Sequence, residues 1–207
     1  MTAARRRRRG GAGRRARRRA LRVAAITAAV TVVASGLLAV LALVTAPDPE
    51  GYCLDEPQTY PAFGVQGWRG EQLENAAVIV RTGRELGFGR DGQVIAVMAA
   101  MGESSLRNID YGDWETSRVA NPDGSRTTSI GLFQQQEWWG SPAERMDPAT
   151  AATMFFRRLQ RVPDWQSLEP SHAINRVQIN ADREHYARFA DDAAAVVDAL
   201  SGSCPGG

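Results

Sequence analysis

The stretch Val94-Ile95-Ala96-Val97-Met98-Ala99-Ala100-Met101-Gly102-Glu103-Ser104-Ser105-Leu106-Arg107-Asn108 decides how the rest of the chain is read. An apolar run ends on a glycine, and the next residue is a carboxylate. A helix that is apolar on nearly every face belongs inside a core rather than on its surface. A glutamate at the end of such a helix meets surroundings that disfavour its charged form, so its pKa rises. A carboxyl that keeps its proton near neutral pH can give that proton to a leaving oxygen. The plainer reading is an exposed glutamate in the last turn of its helix.

Helical signals lie on both sides. Leu73, Ala76, Ala77 and Val80 fall at i, i+3, i+4 and i+7, with Gly87 as a stop. Asp91 is a candidate cap for the central helix, which should run to about Met101. From Ser104 to Gly140 the period disappears, and Asn121-Pro122-Asp123-Gly124-Ser125 is a turn signal. A short β-hairpin or irregular insertion is expected there. Asp147-Pro148 reads as an N-cap followed by proline at the first helical position. Ala151, Ala152, Phe155 and Leu159 form that helix's inner face. A fourth helix is expected over about Ser171 to Ile179. A fifth is expected from about Arg183 to Leu200, with Tyr186, Phe189, Ala190, Ala193 and Val197 inward and Gly202 after its end. The expected domain is mainly α-helical, with one irregular insertion.

Charge is placed unevenly over the 207 residues. All 25 basic residues are arginine, and eleven of them fall between Arg5 and Arg22, before the first acid at Asp48. The rest of the chain sets 14 arginines against 23 acids, a formal charge of −9. Between the parts lies VAAITAAVTVVASGLLAVLALVTA, residues 23–46, uncharged and long enough for a transmembrane helix. The arginines should hold its N-terminal end in the cytoplasm and meet anionic lipid there. Residues 1–22 then form a cytoplasmic tail, 23–46 a signal anchor, 47–70 an extracellular tether rich in Pro, Gly and Tyr, and 71–207 the external domain. Val44-Thr45-Ala46 resembles a signal-peptide cleavage site, but the run is longer than a usual signal core and Pro47 would hinder cleavage. The acidic external part argues against a nucleic-acid partner.

The chain's two cysteines, Cys53 and Cys204, bracket the external part. In an oxidising compartment they are expected to form a disulfide joining its ends, contributing on the order of 4 kcal/mol in the chain-entropy model. Two free thiols would follow if the domain faced the cytoplasm.

Four segments carry a resemblance. They are AVMAAMGESSLRNIDYGD around Glu103, SIGLFQQ at Ser129–Gln135, WGSPAERMDPATAATMFFRRL at Trp139–Leu159, and Val177-Gln178 followed by Ala181 and Tyr186. In this order and spacing the chain, over about Gln72 to Ala190, resembles the lytic transglycosylases of the lysozyme-like superfamily, in particular small actinobacterial domains. The resemblance implies a lysozyme-like helical fold and peptidoglycan glycan strands as the partner. The implied reaction is cleavage between N-acetylmuramic acid and N-acetylglucosamine to give 1,6-anhydro ends without water. It implies Glu103 as the catalytic acid and then base. Ser104 would hydrogen-bond near it, Gly131 would let the backbone approach the sugar, and Gln134 and Gln135 would offer amides to it. Tyr186 would steady Glu103 or the substrate. No cofactor or metal is implied.

Each assignment has a plainer counterpart. Ser104 would be a helix-end polar residue, Gly131 a turn residue, Gln134 and Gln135 solvated side chains, and Tyr186 core packing. Of Trp138 and Trp139, one is expected in the core and the other free to stack on sugar. The sequence departs from the family pattern at Arg183, near a usual proline, and in the long segment Asp113–Thr128. Both bear on the outer wall of the cleft.

Two other functions remain open. A hydrolytic muramidase needs a second carboxylate, which Asp110, Asp113, Glu115 or Asp123 could supply. An inactive, membrane-anchored glycan-binding or scaffold protein would keep the fold without turnover. The two histidines, His172 and His185, form no recognisable metal spacing with the cysteines, and there is no phosphate loop, nucleophile elbow or dinucleotide fingerprint. The sequence does not determine the oligomeric state.

Overall fold

The computed structural model describes residues 53–54, 60, 62–178, 180 and 182–202. The arginine-rich tail, the apolar segment 23–46 and Cys204 lie outside the described residues. Among the described residues no helix is long and apolar enough to cross a membrane.

The fold is mainly helical. Its elements are α1 (Glu71–Glu85), α2 (Arg90–Ser104), the short α3 (Asp113–Ser117), α4 (Pro142–Met146), α5 (Pro148–Leu159), α6 (Pro170–Gln178) and α7 (Ala190–Leu200). α2 is the central element. From Gly92 to Met101 every residue is buried, and α1, α5, α6 and α7 all pack against it. Each fully buried Val, Ile or Met side chain stabilises the fold by about 1.5–3 kcal/mol relative to exposure. That burial, rather than capping, holds α2, because Gly89 provides no side-chain cap. Asp91 is therefore not the cap expected of it; it lies in the first turn, favourably placed for the helix dipole.

α2 also runs beyond Met101, so Glu103 and Ser104 stand in its last turn. It stops because Ser105 and Leu106 both turn left-handed, with φ of 55° and 58°. α1 holds this reversal in place. Gln72 Nε2 donates to the Ser105 carbonyl at 2.9 Å and Asn75 Nδ2 to the Leu106 carbonyl at 2.9 Å. Carbonyls released at the helix end are thereby satisfied by side chains of another element.

α5 follows its local signals closely. Asp147 accepts from the Thr150 N–H at 2.9 Å, Pro148 begins the helix, and Ala151, Ala152, Phe155 and Leu159 are fully buried. α4, absent from the sequence expectation, is a single capping box: Ser141 and Glu144 bond each other's backbone N–H groups.

The insertion is mostly irregular. Instead of a β-hairpin ladder it holds α3 and two isolated bridges, Ala120 with Arg126 and Ile130 with Gln135. The last helix differs most from expectation. α7 begins at Ala190, not near Arg183. Asn180 Oδ1 accepts from the Asp182 N–H at 2.9 Å, and Asp182 Oδ1 from the Glu184 N–H at 2.9 Å. Ser171 Oγ then donates to the Arg183 carbonyl at 2.6 Å and accepts from the Tyr186 N–H at 3.2 Å. Local and tertiary bonds thus consume the groups an earlier helical turn would need.

The expected tether also contributes to the packing. Cys53 and Leu54 are buried, and Cys53 is disulfide-bonded. The Tyr60 hydroxyl donates to the Leu54 carbonyl at 2.9 Å, and Trp68 Nε1 donates to Asp192 Oδ2 at 3.0 Å.

Candidate active site

At the C-terminal end of α2 the core opens into a cleft of about 210 Å³. Glu103, Gln134, Trp138, Trp139, Arg158 and Gln178 line it, with the Asn121–Pro122 turn at its rim. Glu103 is half-buried. Burial raises its carboxyl pKa from the ordinary carboxylate range to about 7, and the charge of Asp113 pushes the same way. Hydrogen bonds from Tyr186 and Gln178 oppose the rise, because both favour the ionised form.

Tyr186 is fully buried and its hydroxyl donates to Glu103 Oε1. Burial and the neighbouring carboxylate push the phenol pKa up, so this proton stays on the tyrosine. Gly102 makes the contact possible. A Cβ there would lie 2.5 Å from Tyr186 Cδ1 and 2.9 Å from Cε1. The glycine that ends the apolar run is the surface on which the tyrosine ring lies, and any side chain would displace the ring from the carboxyl.

The structure divides the residues expected at the site. Gln134 lines the cleft, held by Nε2 bonds to the Tyr111 and Gly131 carbonyls at 3.2 Å each. Ser104, Gly131 and Gln135 stand behind its wall. The Ser104 hydroxyl donates to the Leu132 carbonyl at 2.7 Å, joining α2 to the Gly131–Gln135 segment. Gln135 is buried and its Nε2 donates to the Ala151 carbonyl at 3.0 Å. Gly131 has φ +80°, and a Cβ on it would lie 2.1 Å from the Arg145 carbonyl oxygen. Its backbone approaches α4.

The organiser of this wall, Arg145, went unrecognised in the sequence. It is 4% exposed, yet its guanidinium meets carbonyls, not an acid. Nε donates to Gly140 O at 3.0 Å, and Nη1 to Thr128 O at 2.7 Å and Gln135 O at 3.0 Å. Burial lowers its pKa. No local pattern marks an arginine for such a role. Gln178, which has no local signal beyond its Val-Gln motif, bridges the cleft: its Nε2 also donates to the Phe133 carbonyl at 2.8 Å.

The two tryptophans differ in exposure. Trp139 packs against the core under the Arg158 guanidinium, which lies 3.4 Å from its ring centroid. Trp138 is 58% exposed and offers an open aromatic face. Among the four acids weighed as a second carboxylate, Glu115 is tied to Arg126 and to the Gly112 N–H. Asp123 is tied to the Ser125 N–H and hydroxyl. Asp110 is exposed. Only the charge of Asp113 is felt at Glu103. His172 pairs with Glu184, and His185 packs edge-on to the Tyr186 ring with centroids 4.8 Å apart.

A larger hollow of about 410 Å³ lies at the opposite end of α2, around Phe88 and Trp165. Of its charged wall residues, Arg90 is committed to Asp198 through two hydrogen bonds of 2.6 and 2.7 Å, and Asp91 lies 3.8 Å from the same guanidinium. The chemistry therefore concentrates in the smaller cleft.

These contacts make a paired prediction. Tyr186→Phe removes a bond that favours the ionised carboxylate, so the Glu103 pKa should rise above its parental value. Asp113→Asn removes a repelling charge, so it should fall. Carbon-detected NMR titration of the Glu103 carboxyl measures both; shifts in the same direction would overturn this account.

No family model matches the chain, and the search of curated proteins found no match.

Proposed function

We propose that this domain has a lysozyme-like fold and cleaves peptidoglycan glycan strands by lytic transglycosylation, displayed outside the cell on a single N-terminal membrane anchor. The observation that carries the reading is the Glu103 carboxyl, raised to about 7 at the floor of an open cleft and hydrogen-bonded by Tyr186. The four sequence segments that resemble lytic transglycosylases support it, as does the exposed Trp138 beside the acid.

In the reaction, protonated Glu103 gives its proton to the glycosidic oxygen as the bond from muramoyl C1 to that oxygen breaks. The carboxylate so formed takes the proton of the muramoyl 6-hydroxyl, whose oxygen closes on C1. Glu103 ends protonated and no water is consumed. The Tyr186 hydroxyl donates to the carboxylate while it is charged, and Gln134 and Gln178, whose amide nitrogens are already engaged, offer their amide oxygens to the strand. Because the first step needs the acid form, activity should fall as pH rises above about 7.

A hydrolytic muramidase is the second reading, favoured by the charge of Asp113 reaching Glu103. Mass spectrometry of fragments released from peptidoglycan by the full-length protein separates them. Anhydro ends from the parent and none from Glu103→Gln are the expected result. Reducing ends, with activity lost in Asp113→Asn, would make it a muramidase. No release by a folded parent would leave glycan binding without turnover.

A further inference from the structure

A second pocket, of about 410 Å³, opens beside the end of α2. Gln66, Trp68, Gln72, Ser105, Arg107 and Asp192 line it. Ser105 is two residues from Glu103, so its Cα lies within about 7 Å of the Glu103 Cα. Part of its wall is held by hydrogen bonds. Val65 and Trp68 exchange two backbone bonds of 2.9 Å across a tight turn. Trp68 is tied to Asp192 and packs edge-on to Phe189, with centroids 6.3 Å apart. Gln72 is tied to the Ser105 carbonyl.

Two opposite charges share this pocket without meeting. Arg107 is exposed, and its guanidinium makes no ion pair or hydrogen bond among the described residues. Asp192 is half-buried and uses one oxygen, Oδ2, for Trp68. Oδ1 is left for a ligand. A free guanidinium and a free carboxylate oxygen lining one pocket suit a ligand that carries a carboxylate and an ammonium together. Arginine's planar fork matches a carboxylate in particular.

We infer that the pocket formed by the Val65–Trp68 turn, Arg107 and Asp192 binds a zwitterionic peptide, the stem carried by the glycan strand, with its carboxylate on Arg107 and its ammonium on Asp192. This rests on the proposed action on peptidoglycan. The glycan occupies the Glu103 cleft, and its peptide branch crosses Ser105 into the second pocket. The domain would then favour strands that still carry their stems.

Full-length protein is compared with Arg107→Gln and Asp192→Asn on two substrates: stem-bearing strands, and strands stripped of stems by an amidase. The parent should cleave stem-bearing strands at least tenfold faster. Arg107→Gln should bring that ratio close to one while keeping the parental rate on stripped strands, and Asp192→Asn should lower the ratio in part. Equal loss on both substrates, or an unchanged ratio, overturns the inference. If the parent cleaves neither substrate, the proposed reaction is wrong, and the pocket is judged by binding alone. Free L-Ala-D-Glu-meso-diaminopimelate should then shift the amide signals of Trp68 and Arg107 in the parent and not in Arg107→Gln. No shift in the parent overturns the pocket as well.

Discussion

Glu103→Gln should make the protein more stable at pH 8 while abolishing turnover. The Glu103 pKa is about 7 in the folded state against an ordinary 4.5. Below pH 4.5 both states hold the proton, and the group contributes nothing to the pH dependence. Between pH 4.5 and 7 the folded state keeps the proton and the unfolded state loses it, so stability falls as pH rises. Above pH 7 the loss is complete. The shift corresponds to at most about 3 kcal/mol, and about 2 kcal/mol after allowing for partial exposure.

Glutamine has the same shape, can accept the Tyr186 bond and does not titrate. The variant should match the parent near pH 4 and exceed it by about 2 kcal/mol at pH 8, or roughly 4–8 °C in Tm for a domain of this size. Loss of the general acid should cost at least about 10³-fold in rate. Thermal melts at the two pH values test the idea; a stability difference that does not change with pH would sink it. The expected trade is stability given up for a proton donor at neutral pH.

Gly131→Ala should be among the most damaging single methyls in the described part of the domain. The backbone there has φ +80°, which strains any L side chain by about 1–2 kcal/mol. The added Cβ would also sit 2.1 Å from the Arg145 carbonyl oxygen. That carbonyl cannot retreat easily, because the same residue's guanidinium is anchored on three other carbonyls. Together the effects should exceed about 4 kcal/mol. Gly124 is the internal comparison: its φ is +84°, but nothing lies within 4 Å of its Cβ position. Gly124→Ala should cost only about 1 kcal/mol. Urea denaturation of the two variants separates conformational strain from close approach; equal losses would show that the Arg145 contact is unimportant.

Both predictions depend on how the cleft wall is built. Gly131 and Gln135 keep the Gly131–Gln135 segment against α4 and α5, and Ser104 fastens it to α2. The resemblance implied that Gly131 and Gln135 face a sugar and that Ser104 bonds near the acid. The structure uses them to set the position of Gln134 and of the wall opposite Glu103. Their substitution should therefore act first on stability.

What the sequence determined by itself is the local part. Apolar periodicity and the Asp147-Pro148 start locate α1, α2, α5 and α6 to within a few residues, because a helix's inner face is written at spacings of three and four. The unbroken apolar run identified α2 as the central helix, and a glutamate at its end as the group whose proton would be held. Tertiary structure alone decided what surrounds that proton. Tyr186 reaches Glu103 across 83 residues of chain, over a glycine whose importance lies in a ring it touches. Arg145 and Ser104 act through backbone carbonyls of distant segments, and every residue carries a carbonyl, so no side-chain pattern announces such a partner. The start of α7 was decided the same way, when Ser171 took the groups near Arg183 and Tyr186 that an earlier helical turn would have used.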